Sequence, residues 1–321
     1  MKDITEQLKE IFQDRLKQNE PLAKHLNFRI GGPARWFVEV KTIDELKGAI
    51  DAAKAGEVEY FVLGGGSNTL ASDEGFDGLV IKIAMREHEI EGDLVTVDAG
   101  VISASLARAT ATAGLAGFEW AISLPGTIGG AVRGNAGCFG GEVKDTLQSA
   151  DVLCDGEIVT LSSADLQFGY RESVIKHSED IILRATFKLI PGNAEELKQK
   201  LDDTLAKRKA DQPLHAGSAG CIFKNYEVKD EVEMANIEKE INVPDVMVQA
   251  HRISAGWVVD QLDMKGEQIG DAMISNEHGN FIINQGKATA SDVIQLISLV
   301  KTRARKRYGI QLQEEVRYLG F

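Results

Sequence analysis

Two glycine-rich stretches some sixty residues apart limit most what this chain can fold into. The first, Gly64-Gly65-Gly66-Ser67-Asn68, follows the apolar run Tyr60-Phe61-Val62-Leu63. The second reads Ser123-Leu124-Pro125-Gly126-Thr127-Ile128-Gly129-Gly130-Ala131-Val132-Arg133-Gly134-Asn135-Ala136-Gly137. Residues without a Cβ let the backbone turn sharply after a strand, so that successive N–H groups can face a phosphate. A purely structural turn is the competing reading of the first stretch. Its spacing matches neither G-x-G-x-x-G nor G-x-x-x-x-G-K-[ST], which argues against a Rossmann site or a P-loop. The second stretch is more specific. Apart from Arg133 and a few apolar residues its side chains are small, so a large flat ligand or its diphosphate could lie against bare backbone.

Around these stretches helices and strands alternate. Apolar residues at helical spacing (Ile4, Leu8, Ile11, Phe12, Leu16) predict an amphipathic helix over 3–18. Thr42-Ile43-Asp44-Glu45 reads as a capping box, Thr42 accepting the Glu45 amide while Glu45 reaches back, and opens a helix running to about Gly56. Strands are predicted at 60–63, 79–83, 94–99, 157–161 and 181–190, with a helix over 103–113 closed by Gly114. The charged stretch 194–210 predicts a connecting helix and the main domain boundary. Beyond it come a helix over 254–263, strands near 268–274 and 281–284, and a long helix over 289–308. Lys301, Arg303, Arg305, Lys306 and Arg307 crowd the end of that helix, where cations offset its negative dipole end.

Composition excludes several classes. The 321 residues, 43% hydrophobic and 26% charged, suffice for two or three packed units. A net charge of −13 is the opposite of the basic footprint that phosphate backbones select, so no nucleic-acid partner is expected. There is no apolar run of about 18 residues and no signal-peptide core, so the expectation is a cytoplasmic protein without membrane insertion. Cys138, Cys154 and Cys221 are odd in number and far apart, with no C-x-x-C and no H-E-x-x-H, so neither a disulfide framework nor a metal site is expected.

Together the two glycine stretches resemble the FAD-binding domain of the vanillyl-alcohol-oxidase type, in which LGGGSN and LPGTIGGA segments hold the flavin. The resemblance implies FAD contacts from Gly64, Gly65, Gly66, Ser67 and Asn68 on the first stretch. On the second it implies Pro125, Gly126, Gly129, Gly130, Asn135, Ala136 and Gly137. Further segments resemble the UDP-N-acetylenolpyruvoylglucosamine reductase family. Asn27 to Ala34 is similar to its FRIGGPA motif, Tyr170-Arg171-Glu172-Ser173 to YRxS, and Gly217 to Asn225 to SAGSxFKN. Ala255-Gly256-Trp257 through Lys265-Gly266 is similar to AGWLID...KG, and Leu312 to Arg317 to LExEVR. The short spacing between Tyr170 and the Cys221 segment resembles the family's second type.

The resemblance implies an α/β (α+β) fold: two FAD-binding subdomains, 1–90 and 91–208, and a C-terminal substrate domain, 209–321. It implies FAD as cofactor, NADPH as co-substrate, and reduction of UDP-N-acetylglucosamine enolpyruvate to UDP-N-acetylmuramate in peptidoglycan precursor synthesis. The alternatives are another FAD-dependent oxidase or dehydrogenase of the same fold, or a non-catalytic flavin-binding module. By the motif match the catalytic residues are Arg171, Cys221 and Glu315, and the UDP-sugar is held by Asn225, Lys265 and His278. These come from both parts of the chain, so the site is expected between them.

Each residue type suits its implied task. Arg171 offers a planar cationic fork to a carboxylate, with a structural salt bridge as the alternative. Glu315 helps only if it donates or shares a proton, which requires burial or a neighbouring like charge. Glu314 beside it would face the other way on an extended segment. Cys221 departs from the serine usual in the family; a thiol, with an intrinsic pKa of about 8.5, can also donate a proton, and a small buried cysteine with another acid is the alternative. Two further departures are Tyr226, where proline is common, and Asp211, where a basic residue is expected near Arg208.

Overall fold

In the computed structural model, which describes residues 3–321, the N-terminal apolar spacing produces the helix Ile4–Phe12, with Ile4, Leu8 and Phe12 buried. It ends before the expected position 18 because Gln13 turns to φ 53°; a short 3-10 turn and the strand Lys17–Pro21 follow. In the helix Ile43–Ala55, Thr42 accepts the Glu45 amide at 3.1 Å, as a capping box requires. The Glu45 carboxylate does not return to Thr42, however. It accepts the Lys41 amide at 2.7 Å and a hydrogen bond from Arg15, and that hydrogen bond holds its carboxyl below the usual range.

The first of two units comprises the chain up to Glu20, Ala34–Gly66 and Asp77–Ala210. One of its sheets has the order Lys17–Pro21, Pro33–Val40, Phe76–Ile83, Tyr60–Leu63, the last two strands parallel. The other is antiparallel, in the order Glu157–Ser162, Leu147–Cys154, Ile181–Lys188, Leu94–Asp98, His88–Glu91. Val38, Leu79 and Ile81 from one sheet and Val95, Val97, Ile182 and Phe187 from the other belong to a single core. Phe118 anchors it, its ring 4.9 Å from Phe187 and 5.4 Å from Trp120; burying one such side chain stabilises the fold by about 1.5–3 kcal/mol. The expected helix over 103–113 is Ser103–Thr112, with Gly114 at φ +71° just past its end.

The second unit comprises Pro21–Pro33, Ser67–Phe76 and Asp211–Phe321. Two segments from within residues 1–90 therefore pack with the C-terminal third. Thr69–Ala71 pairs in parallel with Arg317–Leu319. The Asp73 carboxylate accepts the amides of Ala290 and Ser291 at 2.8 and 3.1 Å, supplementing the Thr289/Asp292 capping box of the long helix Ala290–Tyr308. An antiparallel sheet of Gln268–Ile269, Ala272–Ile274 and Ile282–Asn284 shares its core with that helix through Ile274, Ile282, Val293 and Leu296. Among the described residues no helix is long and apolar enough to cross a membrane.

The Asn27 to Ala34 motif has a packing role here. A Cβ on Gly32 would lie 2.2 Å from the Asp73 carbonyl, and one on Gly75 would lie 2.0 Å from the Pro33 carbonyl. Both obstacles are backbone. Gly32→Ala is therefore expected to destabilise the protein by about 3 kcal/mol through overpacking. Gly92→Ala is the control, because Gly92 has φ +63° but nothing within 4 Å of an added Cβ; its cost should stay at about 1–2 kcal/mol. Denaturant unfolding of the two variants checks the order.

Candidate active site

The two glycine stretches meet in the first unit. A Cβ on Gly65 would stand 2.7 Å from the Gly126 Cα, and one on Gly64 would stand 2.7 Å from Thr127 Oγ1. Gly126 has φ +111° and Gly66 φ +66°, which favour residues without a side chain. Thr127 occupies the N-cap of the helix Ile128–Arg133, yet its hydroxyl caps nothing. That oxygen is buried and has no hydrogen-bond partner among the described residues. An orphaned buried hydroxyl costs about 1–3 kcal/mol unless something satisfies it. A glycine-lined backbone cradle with an unsatisfied hydroxyl beside it suits a diphosphate-bearing cofactor, so the residues present fit FAD.

The Tyr170–Ser173 turn is latched onto the second stretch. Ser173, buried, donates to the Arg133 carbonyl at 2.6 Å, and Asn135 donates to the Gly169 carbonyl at 2.9 Å. Arg171 donates to the Gly137 carbonyl at 3.0 Å with its guanidinium 5.3 Å from the Tyr170 ring centroid. Its backbone is held at φ 57°, a conformation unfavourable for a residue with a side chain. Asn135 also donates to Glu142 at 2.8 Å and accepts the Lys144 amide at 3.0 Å. Its side chain thus clamps the loop, leaving its backbone as the part that could face a cofactor. Cys138 follows directly; burial pushes its thiol pKa up, while Ser123, Arg208 and Arg171 pull it back.

In the second unit the segments of Cys221 and Glu315 are joined by backbone. The Glu315 amide donates to the Ile222 carbonyl at 2.7 Å, and the Lys224 amide to the Gln313 carbonyl at 2.9 Å. Asn68 donates from its side chain to the Glu315 carbonyl at 3.0 Å, and its own carbonyl accepts the Arg317 amide at 2.9 Å. Glu314 is taken by Lys301 at 2.7 Å. Both residues are half-buried, and Glu315 lies on the backbone ladder to the segment of Cys221.

Lys265 and His278, forty-odd angstroms of sequence apart in an extended chain, are brought together around Asp260. Lys265 Nζ lies 3.1 Å from Asp260 Oδ2, and a Cβ on Gly279 would press on Asp260 Oδ1. Gly256 leaves room for the imidazole, since a Cβ there would be 3.0 Å from His278 Cε1. Burial lowers the His278 pKa, with Asp260 opposing and Lys265 reinforcing the shift. The Asn280 amide donates to His278 Nδ1 at 3.2 Å, which places the proton of the neutral ring on Nε2. Asn225 accepts the Ala255 amide at 3.2 Å at the start of the helix Ala255–Gln261.

Residues 212–319 match the family model of the UDP-N-acetylenolpyruvoylglucosamine reductase C-terminal domain, and residues 34–162 match that of an FAD binding domain. The UDP-N-acetylenolpyruvoylglucosamine reductase of Alkaliphilus oremlandii is 36% identical over 315 residues, covering 97% of this chain and 96% of that protein. That of Lachnoclostridium phytofermentans is 37% identical over 325 residues, covering 99% and 97%. The crystal structure of the reductase from Thermus caldophilus is 33% identical, with a TM-score of 0.74 over 95% of this chain and 98% of that one.

The chain belongs to the UDP-N-acetylenolpyruvoylglucosamine reductase family. It is an FAD-dependent oxidoreductase, and near-complete coverage by reductases sets aside the readings as an alcohol oxidase or a non-catalytic flavin module. Three residues of this family member escaped the sequence reading. Thr127 lay in plain view, but a threonine before a helix is first read as a cap. Asp260 and Asn280 carried no signal of their own, because their partners are set by the fold. The free hydroxyl generates a prediction: Thr127→Val keeps the shape and should leave the stability of the FAD-free reductase unchanged or raised, while weakening FAD binding about tenfold, the value of one hydrogen bond. Titration of the apoprotein with FAD, followed by flavin fluorescence, measures it.

Proposed function

We propose that this chain reduces UDP-N-acetylglucosamine enolpyruvate to UDP-N-acetylmuramate with Arg171, Cys221 and Glu315 in the second half-reaction. FAD, when bound, supplies the redox chemistry, accepting hydride from NADPH and delivering it to the enolpyruvyl methylene carbon. The protein must then manage the negative charge left on the adjacent carbon and its carboxylate. Arg171 neutralises the carboxylate, its guanidinium already oriented by the Gly137 carbonyl and the Tyr170 ring. Cys221 gives its thiol proton to the adjacent carbon: an S–H bond breaks, a C–H bond forms, and the thiolate regains a proton from water. Glu315, in its protonated form, shares a proton with the carboxylate.

The observation that carries this reading is the 2.7 Å hydrogen bond from the Glu315 amide to Ile222, which ties the two proposed proton-bearing segments to one frame. Lys265 neutralises the diphosphate of the UDP-sugar, His278 donates from Nε2, and Asn225 supplies a polar contact beside them. The Lys265–Asp260 ion pair is exposed and adds about 0–1 kcal/mol at most, so its effect is orientation. A cytoplasmic location follows from the nucleotide-linked co-substrates that the reaction consumes.

The proton-donor role has a direct test in anaerobic stopped-flow absorbance, with NADPH added first and the enolpyruvyl substrate second. Cys221→Ala should leave bleaching of the flavin by NADPH intact and slow its recovery with substrate by about 10²-fold or more. Cys221→Ser should retain turnover. Unaltered recovery in the alanine variant would remove Cys221 from the mechanism.

A further inference from the structure

The segment that carries Cys221 belongs to no regular strand. Cys221 and Phe223 make only isolated bridges, to Phe281 and Glu314, and Gly220 just before them has φ +77° with nothing within 4 Å of an added Cβ. One edge of this segment is held by the backbone ladder to Gln313 and Glu315. The other edge runs along Asn280 and Phe281, and there the side chain of Asn280, which is 3% exposed, makes two of the contacts. Its side-chain oxygen accepts the Phe223 amide at 2.9 Å and its side-chain nitrogen donates to the Phe223 carbonyl at 2.8 Å. Its backbone carbonyl accepts the Ile222 amide at 2.8 Å. The carboxamide thus closes on both polar groups of one peptide residue, as a neighbouring strand would, two positions from Cys221.

We propose that Asn280 is a positioning residue for Cys221, fixing the segment so that the thiol meets the carbon it protonates. This rests on the reading of Cys221 as the proton donor. Proton transfer needs the donor within about 2.6–3.2 Å of its target, and a displacement of about 1 Å can cost 10²-fold in rate. Loss of the carboxamide would leave the buried Phe223 amide and carbonyl unsatisfied and loosen the segment on that side, where the Ile222 amide on the Asn280 backbone carbonyl remains. The contact to His278 is made by the Asn280 backbone amide and survives substitution of the side chain. Catalysis and substrate binding should therefore separate.

The experiment uses FAD-loaded enzyme carrying Asn280→Ala, Asn280→Asp, Cys221→Ala and the double replacement of Cys221 and Asn280 by alanine, in the same two-step stopped-flow assay. Asn280→Ala should slow substrate-driven flavin recovery by about tenfold or more, with NADPH bleaching and the half-saturating substrate concentration each within about twofold of wild type. In the Cys221→Ala background the same substitution should change recovery by less than about twofold, because both changes act through one group. Full additivity in the double variant, unaltered recovery in Asn280→Ala, or parallel loss of bleaching and recovery would overturn the proposal. If the alanine variant does not retain FAD, Asn280→Asp carries the same comparison, since it keeps the acceptor for the Phe223 amide and loses the donor. A Cys221→Ala enzyme with normal recovery would sink the proton-donor reading itself, and that result is visible before any Asn280 variant is made.

Discussion

The second unit depends on a contact made across 247 residues of sequence: the side-chain amide of Asn68 on the carbonyl of Glu315. From it follow the parallel pairing of Thr69–Ala71 with Arg317–Leu319 and, a few residues on, the Asp73 carboxylate over the first turn of the helix Ala290–Tyr308. The Gly32 and Gly75 close approaches then admit the Pro21–Pro33 segment. Glu315 is thus held on one side by Asn68 and on the other by its amide bond to the Ile222 carbonyl. Such long-range pairing costs loop-closure entropy before it gains anything, so this end of the unit should form late in folding.

In the first unit the corresponding constraint is the absence of side chains. Gly65 over Gly126 lets two backbone ribbons approach to a distance that any Cβ would forbid. Gly129 packs similarly, since a Cβ there would come within 2.8 Å of the Ala99 Cβ, which seats the helix Ile128–Arg133 on the end of the strand Leu94–Asp98. The Tyr170–Ser173 turn is then carried by this ribbon through Ser173, Asn135 and Arg171. Arg171 is consequently oriented by the same backbone that forms the cradle. Cofactor retention and the placement of the guanidinium are therefore mechanically linked within one unit.

Much of the secondary structure was legible because its signals are local. Thr42 caps its helix as its sequence predicts, Ser254 and Thr289 stand as caps where helices were expected to begin, and Tyr60–Leu63 is apolar along its length. The strand Leu147–Cys154 went unseen although it lies between two partners in its sheet. Ser149 and Asp151 interrupt its apolar pattern, and Asp151 is stabilised by the Thr160 hydroxyl of the next strand at 2.7 Å, a partner no local window shows. The division of the chain into units was hidden for a related reason. Residues 21–33 and 67–76 lie early in sequence, but several of their hydrogen-bond partners lie after residue 280. The glycine stretches and the Arg171 turn stand out in the sequence by their composition, whereas the contacts of Asp260 and Asn280 are set by the fold alone.

Buried asparagines recur where this fold needs the effect of a strand without room for one. Asn135, Asn280 and Asn284 are each at most 8% exposed, and each uses both ends of its carboxamide on backbone or loop groups. Asn284 donates to the Phe28 carbonyl and accepts the Gly286 and Ala288 amides, fixing the turn that leads into the long helix. A carboxamide copies the donor and acceptor of a peptide group, so it can complete a ladder from the side chain. Aspartate lacks the donor when ionised and brings a charge that burial penalises; alanine leaves two peptide groups unsatisfied. Neither is a conservative replacement here. An amide that tightens the segment beside Cys221 also limits how far a thiol, with its longer C–S bond, could drift from the position a serine hydroxyl would take. Under the proposed proton-donor role of Cys221, the departure from serine is tolerable in a frame held on both edges, and would be less so in a segment held on one.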